Sequence, residues 1–188
     1  MTFNSVSVVG LGYIGLPTAA ILASKKNNVI GLDIDQEIVD KINTGKIHIA
    51  EPELEDLVKS AVSKNYLRAV CKPESADVFL IAVPTPLKKS NGKESIPLPD
   101  LSFIESAVKG IGTVLKKGDL IILESTSPVG TTEKISRWLA KIRPDLTFPH
   151  NAGEKSDVRI AYCPERVLPG QIVRELIQND RIIGGMTD

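Results

Sequence analysis

The sequence predicts an α/β protein with one doubly wound, mostly parallel sheet and helices on both of its faces. Three observations predict this class. Short apolar runs alternate with helical patterns along most of the 188 residues. The run at residues 76–83 is almost continuously apolar, which is typical of a strand buried on both faces of a parallel sheet. The first run leads directly into a glycine-rich turn and then a helix, as a βαβ unit begins.

The pattern of apolar residues predicts the elements in turn. Residues 16–23 follow the glycine turn as a helix, and residues 36–43 and 53–64 carry apolar residues at helical spacing on either side of Gly45. Aliphatic runs that end at turn residues predict strands at residues 5–9, 29–32, 67–71, 76–83, 120–124, 158–162 and 181–184. Later helices are predicted from a cap at Asp100 or Ser102 to Leu115, at 131–142 and at 171–178.

Two longer segments are predicted as loops. Residues 88–99 are polar, contain Gly and Pro, and form either a mobile flap or a solvated connection. Residues 143–157 carry His150, to which we assign no role. His48 is interpreted as a surface or packing residue, because no metal-binding partner lies near it in the sequence.

The first strand is followed by Gly-x-Gly-x-x-Gly, the pattern that opens a Rossmann-like dinucleotide site when it joins a strand to a helix. Gly10 permits the tight turn, Gly12 lets a pyrophosphate approach the backbone, and Gly15 lets the helix lie close to the sheet. The first N–H groups of that helix then face the phosphates. A glycine-rich turn with no ligand is the alternative interpretation of the motif alone.

A carboxylate at the end of the second strand favours the dinucleotide interpretation. Asp33 follows Gly15 by 18 residues, close to where a carboxylate accepts hydrogen bonds from the adenosine ribose. Asp35 is a second candidate for this contact, but its position favours the start of the next helix. The charge of Asp33 also repels a 2′-phosphate, and no Arg follows in residues 34–39. The sequence therefore favours NAD over NADP as the cofactor.

Polar residues also follow three later strands, and ligands of open α/β sheets bind beyond the carboxyl ends of strands. Thr85 lies between two prolines that also serve to stop the strand, and Thr126 lies in a hydroxyl-rich turn where simple capping is the alternative. Residues 164–170 place Glu165 and Arg166 in a tight loop after the sixth strand. This loop is a candidate substrate site.

The composition argues against several classes of protein. Lys plus Arg and Asp plus Glu each number 23, so the net charge is zero, and only 4% of residues are aromatic, which argues against a nucleic-acid partner. Cys71 and Cys163 form no metal or disulfide pattern, and we predict no metal site. We expect a cytoplasmic protein, since the first residues lack a signal peptide and no apolar run is long enough to cross a membrane.

Four motifs resemble the nucleotide-sugar 6-dehydrogenases, a family that includes UDP-glucose and GDP-mannose dehydrogenases. They are Gly-Leu-Gly-Tyr-Ile-Gly-Leu-Pro at residues 10–17, Ala-Val-Pro-Thr-Pro at 82–86, Glu-Ser-Thr-Ser-Pro-Val-Gly-Thr at 124–131 and Pro-Glu-Arg-Val-Leu-Pro-Gly at 164–170. The resemblance runs along essentially the whole chain. Within the family, the last motif favours members that act on UDP-N-acetyl-D-mannosamine, because UDP-glucose members usually carry a more aromatic sequence after Pro-Glu.

The resemblance implies an oxidation of the sugar C6 alcohol to a carboxylate in two hydride transfers that consume two NAD. A cysteine captures the intermediate aldehyde, and the resulting thioester is hydrolysed. Glu165 is implied to lie beside the reacting carbon and to act as a base, and Thr126 is implied to be a second catalytic residue. The residues implied to contact NAD are Tyr13, Ile14, Asp33, Thr85 and Thr126, and those implied to contact the UDP-sugar are Arg166 and Val167.

The family also predicts parts that these residues do not contain. Its members have two Rossmann-like domains joined by a long helix, and the nucleophile follows Gly-Gly in the later part. Here Gly184-Gly185 is followed by Met186, and Cys163 has no Gly-Gly before it. We therefore expect residues 1–188 to be the NAD-binding domain, inactive without the central helix and the UDP-sugar domain. The full-length enzyme is expected to be a homodimer.

Two alternatives remain open from the sequence. One is a dehydrogenase of another UDP-sugar, such as UDP-N-acetylglucosamine or UDP-glucose. The other is an NAD-binding module with no catalysis, since the fold alone does not separate these functions.

Overall fold

One seven-stranded sheet organises the molecule. The computed structural model describes residues 3–88 and 97–187. The strands are β1 (Ser5–Val9), β2 (Asn28–Leu32), β3 (Leu67–Val70), β4 (Val78–Ile81), β5 (Leu120–Leu123), β6 (Arg159–Tyr162) and β7 (Gly184–Gly185). Their order is β3-β2-β1-β4-β5-β6-β7, and β7 alone pairs antiparallel, on β6. The predicted doubly wound, mostly parallel sheet is confirmed.

Helices cover both faces of this sheet, because side chains along each strand point alternately to one face and the other. The helices are α1 (Gly15–Ser24), α2 (Gln36–Asn43), α3 (Leu54–Ser63), α4 (Ser102–Gly112), α5 (Thr131–Ile142), α6 (Pro149–Ala152) and α7 (Ile172–Gln178). Val8 and Leu80 belong to a core shared with α1 and α3, whereas Val9 and Ile81 belong to a second core shared with α4 and α5. The near-continuous apolar strands follow from this two-sided burial.

The four central strands end in register at one edge of the sheet. Val9 of β1 lies opposite Ile81 of β4, Ile81 lies opposite Leu123 of β5, and Leu123 lies opposite Tyr162 of β6. The loops after these strands therefore start side by side. The strand order reverses between β1 and β4, which is where open α/β sheets form a ligand crevice.

Three local expectations were wrong. Residues 143–157 are not all loop, because α6 and a 3₁₀ turn (Gly153–Lys155) lie within them, started by the buried Phe148 and by Pro149. The last strand is Gly184–Gly185 rather than 181–184, since Arg181 is held outside the sheet by an ion pair. The fourth helix ends at Gly112 rather than at Leu115, since the N–H groups of Thr113 and Val114 donate to carbonyl groups three positions back instead of four.

Two further expectations concern the loop and the membrane. Most of the predicted flap, residues 89–96, lies outside the described residues. Among residues 3–88 and 97–187, no helix is long and apolar enough to cross a bilayer.

Candidate functional site

The loop after β1 is shaped by close backbone contacts at its two ends. Gly10 has a φ of +90°, which only glycine adopts readily, and a Cβ there would lie 2.9 Å from the carbonyl oxygen of Ala82. A Cβ at Gly15 would lie 1.7 Å from the carbonyl oxygen of Gly10. Gly12, in contrast, has no atom within 4 Å of its hypothetical Cβ. The loop is thus tight where it joins the sheet and open at its middle glycine.

Helix α1 presents an uncapped N-terminus beside this opening. Its N-cap residue is Ile14, which makes no side-chain cap hydrogen bond, and its first turn contains no acidic residue. Tyr13 is 52% exposed at the start of the same turn. The N–H of Leu16 donates to the carbonyl oxygen of Gly12 at 3.1 Å and Pro17 has no N–H, so a ligand at this helix start can use only the N–H groups that precede Leu16. A helix start without a side-chain cap favours a negatively charged ligand.

Asp33 joins the glycine loop to the end of β2. Its Oδ2 accepts a hydrogen bond from the backbone N–H of Leu11 at 2.8 Å, and its Oδ1 accepts one from the N–H of Asp35 at 3.0 Å. A carboxylate oxygen has two lone pairs, so each oxygen retains one acceptor site for a hydroxyl group. The residue chosen from its spacing therefore supports the loop and remains able to bind a ribose.

The ends of β4 and β5 are tied together by hydroxyl groups. Thr85 Oγ1 donates to the carbonyl oxygen of Thr126 at 2.7 Å, and Ser125 Oγ donates to the carbonyl oxygen of Val83 at 2.7 Å. Thr126 is exposed at the tip of this arrangement. The structure thus brings together Thr85 and Thr126, which lie 41 residues apart in the sequence.

The loop at residues 164–170 is held by carboxylates. Glu165 Oε2 accepts a hydrogen bond from the N–H of Val167 at 2.9 Å, and Glu175 Oε2 accepts one from the N–H of Leu168 at 2.8 Å. Arg166 is exposed and lines an open cleft of about 450 Å³ together with residues 178–180. Glu165 thus keeps one oxygen outside its own loop, and Arg166 offers a cation to the cleft.

An ion pair that sequence reasoning missed lies between these loops, and it joins a buried carboxylate to a partly exposed arginine. Glu124 directly follows β5, its side chain is 1% exposed, and it pairs with Arg181 at 2.5 Å. Thr18 of α1 donates a hydrogen bond to the same carboxylate at 3.4 Å. The signal in the sequence was a charged residue directly after the apolar run 120–123. Glu124 therefore connects α1, the end of β5 and the segment before β7.

The pKa values of this pair follow from burial and from mutual attraction. Burial raises the pKa of the Glu124 carboxyl, Arg181 opposes the rise, and the negative charge of Glu165 adds to it. Burial acts against the charge of Arg181, but its hydrogen bond and attraction to Glu124 outweigh this and raise the pKa of the guanidinium. The influence of Glu165 on Glu124 indicates that the ends of β5 and β6 share one electrostatic environment.

The described residues, 3–88 with 97–187, contain no group of three or more His, Cys, Asp or Glu side chains arranged to hold a metal ion. Cys163 is buried and Cys71 is partly buried. The polar groups at the strand ends are hydroxyls, backbone N–H groups, carboxylates and an arginine. Such groups suit the recognition of phosphates and sugar hydroxyls.

Comparison with known families identifies the chain. Residues 4–188 match the model of the UDP-glucose/GDP-mannose dehydrogenase family, NAD binding domain. The chain belongs to this family. The matched residues contain the glycine loop with its open Gly12 and the carboxylate of Asp33 beside it. The family resemblance and the choice of NAD as cofactor are confirmed.

Relatives with high identity cover this chain along almost its whole length. It is 64% identical over 185 residues to a UDP-N-acetyl-D-mannosamine dehydrogenase of Campylobacter jejuni, with 98% of this chain and 44% of the relative covered. It is 62% identical to an NDP-N-acetyl-D-galactosaminuronic acid dehydrogenase of Ralstonia nicotianae, with 98% and 42% covered. The structure of a UDP-D-ManNAc dehydrogenase from Pyrococcus horikoshii superposes with a TM-score of 0.86 at 41% identity, covering 98% of this chain and 41% of that one. The chain therefore spans less than half the length of these relatives.

Proposed function

We propose that this chain is the NAD-binding part of a dehydrogenase that oxidises the C6 alcohol of UDP-N-acetyl-D-mannosamine to UDP-N-acetyl-D-mannosaminuronate. The observation that carries the proposal is the shared sheet edge. The loops after β1, β4, β5 and β6 begin in register there, so the glycine loop and the loop at residues 164–170 open onto one crevice. The identity of 64% to a dehydrogenase of this sugar nucleotide supports the choice of substrate.

The cofactor side of the crevice is proposed to use residues of three loops. The N–H groups at the start of α1 and the open face of Gly12 receive the pyrophosphate, with Tyr13 and Ile14 beside it. The free lone pairs of Asp33 accept the hydrogen bonds of the adenosine ribose. Bound NAD supplies the hydride acceptor. The chain's own task is then to orient it, for which Thr85 and Thr126 are placed at the neighbouring strand ends.

The substrate side is proposed to use the loop at residues 164–170. Arg166 in its open cleft pairs with the diphosphate of the sugar nucleotide, and Val167 packs beside it. Glu165 lies in the same loop and acts as a base, with Thr126 exposed on the adjacent strand end. Two oxidations with the addition of one water convert the alcohol to the carboxylate, release two hydrides and pass their protons to bases. We place the covalent capture of the aldehyde outside these 188 residues.

Kinetics with a panel of sugar nucleotides tests the substrate. The full-length protein is incubated with NAD and each of UDP-N-acetylmannosamine, UDP-N-acetylglucosamine and UDP-glucose, and NADH is followed by absorbance. We expect two NADH per sugar with the first substrate and a kcat/KM at least about tenfold lower with the others, because an N-acetyl group that is inverted at C2 or absent leaves buried polar groups unpaired. A higher kcat/KM with another sugar would reassign the substrate. NAD binding with no turnover of any sugar would support the alternative of an NAD-binding module without catalysis.

One alternative has its own support. A relative that is 62% identical is named for an N-acetyl-D-galactosaminuronic acid product. UDP-N-acetylgalactosamine therefore belongs in the same panel as a second candidate substrate. The two hexosamines differ in configuration at C2, which carries the N-acetyl group, and at C4, which carries a hydroxyl. A preference between them would therefore report on contacts to these groups rather than on the diphosphate.

Replacing Asp33 with alanine should weaken NAD binding by about 1–3 kcal/mol, because a charged hydrogen-bond acceptor for the ribose is lost. The N–H of Leu11 also loses its partner, so the loop is loosened in the same variant. Asp33→Asn separates the two effects, since it keeps an oxygen for Leu11 but removes the charge that repels NADP. Calorimetric titration with NAD and NADP measures both affinities.

Asp35→Ala is the matched control for this prediction. Asp35 caps α2 by accepting a hydrogen bond from the N–H of Glu37 at 2.9 Å, so its removal lowers helix stability without touching the glycine loop. We expect its NAD affinity to equal that of the unmodified chain. A folded Asp33→Ala variant with unchanged NAD affinity would show that Asp33 is not the ribose contact.

A further inference from the structure

The loop at residues 164–170 is anchored by a carboxylate from a distant part of the chain. Glu51 lies between α2 and α3, and its residue surface is 7% exposed. Its Oε2 accepts a hydrogen bond from the N–H of Gly170 at 2.8 Å, and its Oε1 accepts one from the N–H of Ile172 at 2.6 Å. The donors are 119 and 121 residues away in the sequence. One side chain therefore fixes both the end of the loop and the first residue of α7.

We propose that Glu51 is a positioning residue that holds the loop at residues 164–170, here named the substrate loop, so that Glu165 and Arg166 face the sugar nucleotide. This role rests on the proposed function of that loop. Glu51 itself is buried, and each of its oxygens faces a backbone N–H group of the loop or of α7, so we assign it no direct contact with the substrate. Its effect on the reaction passes through the backbone of residues 164–172.

The conformation of the loop shows why an external anchor matters. Gly170 has a φ of +86°, so the chain reverses there with a residue that is intrinsically free to adopt other conformations. The contacts of Glu165 and Glu175 join positions within residues 165–175 and set the local shape of the loop. Glu51 fixes the position of the whole loop relative to the rest of the protein, since it joins the loop to the segment between α2 and α3.

The segment that carries Glu51 is itself fixed to the cofactor half of the sheet. Helix α2 begins at Gln36, three positions after Asp33, and its last residue, Asn43, pairs with both the N–H and the carbonyl group of Ala69 at 2.8 and 2.9 Å. Glu51 follows eight positions later. The substrate loop is thus held in place by a segment that is fixed to the same part of the sheet as Asp33, the proposed ribose contact.

The chemistry of the contact makes it sensitive to a small change. A buried carboxylate requires hydrogen-bond donors on its oxygens, and two N–H groups supply them here. Glu51→Gln preserves size but offers one oxygen and one NH₂ group, so one backbone N–H faces another donor. Glu51→Asp preserves the charge and shortens the reach by one methylene. Glu55→Gln, at an exposed position of α3, removes the same charge and is the matched control.

The test uses the full-length protein with three measurements on each variant: NAD affinity, steady-state kinetics with the UDP-sugar, and hydrogen exchange of the amides of Gly170 and Ile172. In Glu51→Gln we expect faster exchange at these amides and a rise in the KM for the UDP-sugar of about tenfold or more, as the loss of a charged hydrogen bond predicts. NAD affinity should stay within about twofold, a difference well below one such bond. For Glu51→Asp, the exchange rates and the KM should lie between those of Glu51→Gln and those of the unmodified protein. Glu55→Gln should match the unmodified protein in every measurement.

The outcomes separate this role from plain structural support and from the proposed function. Faster amide exchange with an unchanged KM, or a KM that rises only in step with lost NAD affinity, would overturn the positioning role. Unchanged exchange in both Glu51 variants would overturn the anchor itself. If Glu51→Gln does not fold, the same comparison is made with Glu51→Asp. An unmodified protein that binds NAD but oxidises no UDP-sugar would overturn the proposed function, and the positioning role with it, whatever the exchange shows.

Discussion

Replacing Gly15 with alanine is expected to weaken NAD binding strongly and to destabilise the fold. The added Cβ would lie 1.7 Å from the carbonyl oxygen of Gly10 and 3.3 Å from the Cβ of Ala82, so the backbone must move to admit it. Overpacking against a fixed backbone destabilises by about 3 kcal/mol, the upper end of the usual range. Because the displaced atoms belong to the phosphate loop, NAD affinity should fall by about 100-fold or more. Thermal unfolding and calorimetric titration with NAD measure the two effects.

Gly12→Ala in the same loop is the informative control. No atom lies within 4 Å of a Cβ at Gly12, so the free energy of unfolding should change by less than about 0.5 kcal/mol. The methyl group would nevertheless stand where a pyrophosphate approaches the backbone, and NAD affinity should fall. Loss of stability in Gly12→Ala would contradict this account of the loop. So would a Gly15→Ala variant whose unfolding temperature and NAD affinity equal those of the unmodified chain.

Replacing Arg181 with methionine should destabilise the protein by about 3–5 kcal/mol near neutral pH, because it leaves a buried carboxylate without its partner. Glu124 is 1% exposed and keeps only the longer hydrogen bond from Thr18 among the contacts described above. The double variant Glu124→Gln with Arg181→Met should recover most of the loss, since no unpaired charge remains buried. Arg174→Met on the exposed side of α7 is the control and should change stability by less than about 0.5 kcal/mol. Denaturant unfolding of the three variants and the unmodified protein measures these differences.

The penalty of Arg181→Met should also depend on pH. Burial holds the pKa of Glu124 above its ordinary value of 4.5 in the folded state, so the folded state binds this proton more tightly than the unfolded state. The stability gained from protonation is complete below about 4.5 and is lost as the pH rises through the folded-state pKa. Without Arg181 that pKa rises further, and the penalty should shrink when the pH is lowered from neutral toward 5. An equal or larger penalty at low pH would show that Glu124 is not the group left unpaired.

The sheet and the glycine loop were predictable because local sequence specifies them. The aliphatic runs of β4 and β5 have no polar residue to place on a solvent face, so burial on both faces is the consistent solution. Gly10, Gly12 and Gly15 are close in sequence and their spacing fixes the turn. Helix α2 was predicted at its observed bounds, since its apolar spacing and its Asp35 cap agree.

Contacts between distant segments were not predictable in this way. The pairing of Arg181 with Glu124 joins positions 57 residues apart, and the anchoring of Gly170 by Glu51 joins positions 119 apart. In neither pair does the sequence around one residue indicate which residue it will contact. The last strand was misplaced for the same reason: Ile182 and Ile183 are apolar as in a strand, yet they are exposed, because the ion pair of Arg181 decides the path of the chain.

The two hydrogen bonds of Asp33 bear on any attempt to change the cofactor preference of this protein. A neutral or basic residue at that position is the usual first step toward accepting a 2′-phosphate, because it removes the repelling charge. Here the same carboxylate holds the N–H of Leu11 in the phosphate loop. A redesign for NADP must therefore keep an acceptor for that N–H as well as add a cation, and a single substitution to a residue without an acceptor, such as alanine or arginine, should yield a weak binder of both nucleotides rather than a switched one.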